Sequence, residues 1–409
     1  MTAVSARRPL DARRLRIFVS LAGLYVAQGV PGYLIVAAVP PVLREYGVSR
    51  TTIGMLSFLM VPLVLKFLWA PLVDRFELLP IGHWRGWILP TQLLSVAAIA
   101  LLAFLDPLAI WPIFVVGAAV SLLTSTQDIA TDAYATSALA PDDRPVGNAI
   151  QGGAVAFSVI IGGTLGLVLF ERIGWRDTIL VIAAFSALPL LVLPLMAGDD
   201  RPRDAARPKP RFRAFFARRE AVAVLVIALV YRASEGLVKA MEGSYLVDAG
   251  LPLSWIGYLS GLSAATAGLI GSVVAAVLVR RTGLSGTLLF LGGLRTLCFL
   301  LFGLHALGWV TGVEAVIGAA ALQTMIRYME IVALYSLFMA VSSSDQPGTD
   351  FTILACAQLI VYLLGSSISG VLADRLGYAA LFLISALLSG VAVAITVGLL
   401  RRWRALQPA

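Results

Sequence analysis

Long apolar stretches alternate along the chain with short polar ones, and the stretches are too long to be strands. An α-helix needs about 20 mostly apolar residues to cross the roughly 30 Å hydrocarbon core of a bilayer. Twelve stretches approach or exceed that length, at 17–41, 51–72, 86–105, 108–135, 149–170, 177–197, 220–245, 253–279, 284–307, 309–341, 351–373 and 379–400. The two long ones, 108–135 and 309–341, must tilt or protrude. One hydrophilic interruption is long, GDDRPRDAARPKPRFRAFFARRE at 198–220, and it falls between the sixth and seventh stretches. The pattern predicts an all-α integral membrane protein of 12 transmembrane helices. Its units are a basic tail 1–16, a six-helix bundle 17–197, a linker 198–219, a second six-helix bundle 220–400 and a tail 401–409.

Composition agrees: 59% of the residues are apolar and 13% charged, which excludes an ordinary water-soluble globule. The net charge of +8 is a topology signal here, with no call for nucleic acid. With the N-terminus placed in the cytoplasm, 21 Lys and Arg fall on that side, beginning with Arg7, Arg8, Arg13, Arg14 and Arg16. Five fall opposite: Arg44, Arg50, Arg172, Arg176 and Arg375. Both termini and the linker are therefore expected to be cytoplasmic. The first apolar run is long and lacks a small-residue cleavage site, so it reads as an uncleaved helix. Cys298 and Cys356 lie inside apolar runs, and His83 and His305 are far apart. No disulfide framework, metal site or cofactor is expected.

The two halves resemble each other at an offset near 203. GVSRTTIG at 47–54 sits over GLPLSWIG at 250–257, FERIGW at 170–175 over ADRLGY at 373–378, and LVDRF at 72–76 over LVRRT at 278–282 after a short slip. Tyr134 and Pro145 align with Tyr335 and Pro347. Such a parallel repeat places a substrate site near the midplane between the halves.

Six plus six helices around a basic linker resemble the major facilitator superfamily. PLVDR at 71–75, followed by Arg85, is similar to that superfamily's loop-2/3 signature, which implies a conformational role for Asp74, Arg75 and Arg85. LYVAQGVPGYLIVAAVPPVLREYGVSRTTIGMLSF, LKFLWAPLVDR, RGWILPTQ, STQDIATDAYA and GNAIQ together resemble the AmpG-like branch, which holds muropeptide permeases and shorter siderophore permeases of the RhtX/FptX type. Muropeptide permeases often carry further C-terminal helices, so a chain stopping after the twelfth favours the siderophore type. The resemblance implies a multi-pass protein of a bacterial inner membrane.

A charge at a helix centre costs about 2.5–3.5 kcal/mol on insertion scales, so such residues face the bundle interior and find partners. Helix seven carries Arg232, Glu235, Lys239 and Glu242 on one face, as either a self-neutralising ladder or a cavity wall. Lys239 and Glu242 read as scaffolding. Helix ten brings Arg327 and Glu330, and helix nine Arg295. The excess of arginine can receive an anionic substrate through its bidentate fork, or Arg295 can pair with Glu330 to brace the half. Helix two brings Lys66, and helix four Gln127, Asp128 and Asp132. The two acids share a face at i,i+4, with Lys66 as counter-ion, and suit either proton coupling or a gate. Gln28 and Gln151 are candidate substrate contacts on helices one and five, or caps for the break at Pro31. Tyr25 and Tyr231 read first as packing, and Gly162 with Gly166 as a close helix contact.

No phosphate loop occurs: Lys66, Lys209 and Lys239 are not followed by Ser or Thr. HExxH and GxSxG are also absent. The reading is a secondary active transporter, not an enzyme, importing a periplasmic small molecule with protons by alternating access. A siderophore or ferri-siderophore is the expected substrate, a muropeptide the alternative, and a membrane-embedded enzyme or signalling protein the remaining one. The protein is expected to act as a monomer whose further partners are protons and the lipid bilayer.

Overall fold

A computed structural model describes residues 11–48, 56–196, 210–251 and 266–406. Arg7, Arg8, Arg50, most of the linker and parts of the spans predicted at 51–72 and 253–279 lie outside the described residues. Among the described residues there are helices, turns and bends but no strand. Membrane helices keep every backbone N–H and C=O bonded within the segment, which is why apolar runs of this length take this form.

Among the described residues, eight continuous apolar stretches are long enough to span a bilayer, and a shorter one covers Phe58–Leu68. Three of the eight turn sharply at a glycine in the left-handed region, Gly174 (φ 76°), Gly283 (φ 71°) and Gly377 (φ 80°). Counting across those turns gives twelve segments, in keeping with the expected number. We number them α1 (Ala12–Ala38), α2 (56–75), α3 (His83–Leu102), α4 (Ile110–Ala138), α5 (144–173), α6 (175–195), α7 (Arg219–Asp248), α8 (267–282), α9 (284–306), α10 (Val313–Val341), α11 (347–376) and α12 (378–406).

The sequence repeat has a backbone counterpart. Gly174 and Gly377 occupy the same place in FERIGW and ADRLGY and make the same turn. Gly47 (φ 87°) and Gly250 (φ 90°) open the other matched pair. A positive φ there admits glycine at no steric cost, so the glycines mark repeated geometry. The aromatic that follows differs in partner. Trp175 Nε1 donates to the Leu102 carbonyl at 3.1 Å, whereas Tyr378 Oη donates to Asp248 at 2.9 Å.

The start of α1, the end of α6 and the residues just before α7 share one face. Arg14 Nη2 lies 2.6 Å from Asp143 at the start of α5, Arg16 Nε donates to Leu195 O at 3.3 Å, and Arg218 Nη1 donates to Val341 O at 2.8 Å. We call this the basic face. Ile17, Leu139, Met196, Phe215, Phe338 and Leu400 belong to one buried apolar cluster beneath it, which draws on both halves. A second cluster is confined to α1–α6 and a third to α7–α12. The halves therefore share a core at the basic face and have separate cores away from it.

Candidate functional site

Regular helix fails where the polar residues sit. Pro31 stands inside α1, where it lacks an N–H, and a π-helical turn follows at Leu34–Ala38. α2 is assembled from short pieces, and Lys66 begins a 3₁₀ turn, Lys66–Leu68. α7 is opened into turns at 231–234, between Arg219–Val230 and Glu235–Asp248. Breaks of this kind re-aim side chains and are tolerated at membrane depth only inside protein or around a cavity.

In the N-terminal half Asp128 of α4 is the hub. Lys66 Nζ donates to its Oδ2 and Gln28 Nε2 to its Oδ1. Lys66 is buried, while the Asp128 side chain keeps 17% of its surface exposed. A cavity of about 240 Å³ between α1, α2 and α4 reaches it, lined also by Gln28, Tyr33, Leu63 and Thr124. One turn along, Asp132 is buried and accepts from Tyr25 Oη at 3.0 Å and from Gln151 Nε2 at 3.5 Å. The two acids share a helix face but not their partners. Asp128 ties α4 to α2 and α1, and Asp132 ties α4 to α1 and α5. Gln127 is fully buried, and its carboxamide makes no hydrogen bond to protein.

In the C-terminal half two acids take three arginines. Glu235 pairs with Arg232 on its own helix, and its Oε1 lies 3.1 Å from Arg327 Nε of α10. One carboxylate therefore serves two guanidiniums and leaves a net positive charge. That charge has an outlet, because the Arg327 side chain is 33% exposed and lies 5.2 Å from the ring centre of Tyr362. Lys239 and Glu242 pair separately at 2.7 Å.

Arg295 and Glu330 are sealed from the surface, at 1% and 0% side-chain exposure. Arg295 Nη1 lies 2.8 Å from both oxygens of Glu330, Nε donates to Ser389 Oγ at 3.1 Å and Nη2 to Tyr231 O at 2.7 Å. Tyr231 Oη lies 3.1 Å from Glu330 and 2.7 Å from Leu288 O. Of the two readings open for Arg295, pairing with Glu330 is the geometry observed.

The repeat explains this pair. Arg295 follows Gln92 by 203 positions, Ser389 follows Ser186 by 203 and Tyr231 follows Ala27 by 204. Gln92 Nε2 donates to Ser186 O at 2.5 Å and to Ala27 O at 3.5 Å. The same three-helix brace is thus built twice, with a neutral amide in one half and a guanidinium in the other. Glu330 follows Asp128 by 202 positions, so the deep acids are also repeat counterparts. Glu330 is neutralised by its brace. Asp128, whose brace is neutral, turns to Lys66.

At the basic face, helix ends from the two halves are joined. Asp74 accepts from the Gly348 and Thr349 amides at 3.0 and 2.6 Å, in the first turn of α11. Those N–H groups have no intrahelical acceptor, and the positive end of the helix dipole suits a carboxylate. A Cβ on Gly348 would come within 2.9 Å of Asp74 Oδ1, so the approach needs glycine. Asn148 Nδ2 donates to Ser336 Oγ at 3.1 Å, and Arg280 Nη2 lies 3.8 Å from Asp143. Arg85 does not meet Asp74; it donates to Met196 O in its own half. Arg75 is exposed and lies over the Phe76 ring.

Lys66, Gln28, Asp128, Asp132 and Gln151 are therefore brought together, as are Arg232, Glu235 and Arg327. Tyr25 and Tyr231, read as packing, each bond a buried acid, Asp132 and Glu330. Asn148 entered only within the GNAIQ motif, and the α11 amides carried no signal in sequence.

The structure thus joins two six-helix halves at one face, with a buried charge cluster in each. The family model described as Major Facilitator Superfamily matches residues 21–336, and the chain belongs to that family. It is 25% identical over 399 residues to the anhydromuropeptide permease of Escherichia coli K12, covering 92% of this chain and 79% of that one. It is 22% identical over 399 residues to putative transporter AmpG 4 of Rickettsia conorii, covering 93% and 94%. Among solved structures, a bacterial homologue of the iron transporter ferroportin in an outward-facing state superposes with a TM-score of 0.71 at 17% identity, covering 95% of this chain and all of that one. That likeness concerns the fold. The chain is thus a multi-pass membrane protein of the superfamily, similar to AmpG-type transporters along nearly its whole length.

Proposed function

We propose that the protein imports an anhydromuropeptide from the periplasm across the bacterial inner membrane, coupled to protons, with its basic face in the cytoplasm. The observation that carries the reading is the division of labour across the midplane. One partly exposed acid, Asp128, stands in one half, and one partly exposed guanidinium with only a shared acid, Arg327, stands in the other. The Escherichia coli relative's name supplies the substrate class, and the peptide carboxylates of such a molecule suit Arg327 and Arg232. Gln28, Gln127 and Gln151 offer amides for its polar groups.

Asp128 takes up the proton, and Lys66 answers its change of charge. Asp132 holds α4 to α1 and α5, while Arg295 and Glu330 brace the C-terminal half. Asp74 holds the basic face closed. The units 17–197 and 220–400 rock about the site as bundles of a monomer. The siderophore reading rests on chain length, and the muropeptide reading on relatives matched along nearly the whole chain. A deletion strain complemented with this protein separates them. Labelled anhydromuropeptide is expected to accumulate. Accumulation of labelled ferri-siderophore instead would overturn the substrate, and accumulation indifferent to a collapsed proton gradient would overturn the coupling.

A further inference from the structure

The transport reading leaves unused the short linker helix Phe212–Phe216 that precedes α7. Phe215 is fully buried in the apolar cluster shared by both halves, which pins the helix to the body. Its other aromatics, Phe212 and Phe216, are exposed at 37% and 55%. Arg211, Arg213 and Arg219 beside them are exposed too. The helix α7, long and apolar enough to span a bilayer, begins at Arg219, three residues past Phe216, so such a span would carry this segment to headgroup depth. Phenylalanine among arginines at that depth is the composition of an interfacial segment that buries its rings at the acyl boundary and sets its guanidiniums on anionic headgroups.

The same segment is wired to the closed face. Arg218 pairs with Asp350, and the Arg211 amide donates to Gln346 Oε1 at 2.9 Å. Gln346 Nε2 donates to Asp350 at 2.6 Å, and Asp350 accepts from the Ser343 amide at 2.8 Å. Asp350 stands in the first turn of α11, beside the two amides that hold Asp74.

We infer that residues 211–219 form a binding surface for anionic phospholipid headgroups, and that lipid bound there steadies the α10–α11 connection on which closure of the basic face depends. Arg211, Arg213 and Arg219 meet the lipid. Arg218 and Asp350 pass the restraint inward. The inference does not depend on the identity of the transported solute.

The test uses the full chain in nanodiscs of phosphatidylcholine alone or with about a third phosphatidylglycerol, read by hydrogen exchange over 343–351 and by lipid retained in native mass spectrometry. Phosphatidylglycerol is expected to be retained preferentially, by about fivefold for each arginine engaged, and to slow exchange over 343–351 severalfold. Changing Arg211, Arg213 and Arg219 together to Gln should abolish both effects and leave exchange in phosphatidylcholine unchanged. Asp350→Asn should keep the retained lipid but lose the slowed exchange. Equal exchange of the unaltered protein in the two bilayers, or an undiminished phosphatidylglycerol effect in the triple variant, would overturn the proposal.

Discussion

The two halves solve one problem differently. Each carries a deep acid at the same repeat position, Asp128 or Glu330, and each ties its third, sixth and first helices, counted within the half, through one side chain, Gln92 or Arg295. Where the brace is charged, the acid is consumed by it and sealed. Where the brace is neutral, the acid stays at a cavity edge with a lysine and a glutamine. A buried ion pair adds little net stability but is costly to break. The C-terminal pair is thus suited to rigidity, and the N-terminal cluster to a change of protonation. A single exchange, amide for guanidinium, separates a sealed charge from one left at a cavity edge.

Removal of one member of the sealed pair should have the largest effect. Arg295→Met should destabilise the protein by about 3–5 kcal/mol, read as a lowered melting temperature in detergent, because Glu330 would stay buried without its partner. Arg295→Gln with Glu330→Gln, which copies the amide of the other half, should recover most of that loss. A silent single variant would end the bracing argument.

Next in size is Asp128→Asn. In proteoliposomes with an alkaline interior it should cut gradient-driven accumulation about tenfold or more, equivalent to roughly 1.4 kcal/mol or above, while gradient-free exchange of substrate persists. Unchanged accumulation and pH dependence would deny Asp128 the coupling role. Lys66→Gln alone should lower stability more than Lys66→Gln with Asp128→Asn, since the single change strands a carboxylate in a mostly buried site.

Arg327→Gln should weaken substrate binding by about tenfold, from a charge-assisted contact of roughly 1.5 kcal/mol, with little change in melting temperature because Arg232 still neutralises Glu235. A fall in melting temperature with unchanged affinity would instead make Arg327 part of the brace. The smallest effect is expected at the basic face. Asp74→Asn should weaken closure by about 1 kcal/mol, seen as faster labelling of a cysteine placed among the closing residues; unchanged labelling would deny Asp74 that role.

Much of this was legible in the chain. The helices were readable because insertion is a local property of about 20 residues and leaves a continuous apolar signature. The pair Lys239–Glu242 was readable because i,i+3 neighbours lie side by side on a helix, whereas Arg232 meets Glu235 across the turns at 231–234. Lys66 as counter-ion to helix four followed from the scarcity of charge at that depth, but which acid it meets did not. Helix rotation about its axis turns Asp128 to α2 and Asp132 to α5. Asp74 was picked out with Arg85 by resemblance, yet its partners are backbone amides of α11, and amides leave no trace in a side-chain pattern.

By itself the sequence determined an all-helical membrane chain, its spans, its internal repeat and the small set of charges that bilayer energetics force inward. Only the tertiary structure decided which of those charges are spent on one another and which are left at a cavity edge. The reason is physical. Burial of apolar surface depends on composition along one helix, whereas pairing of buried charge depends on the lateral placement and rotation of several helices at once.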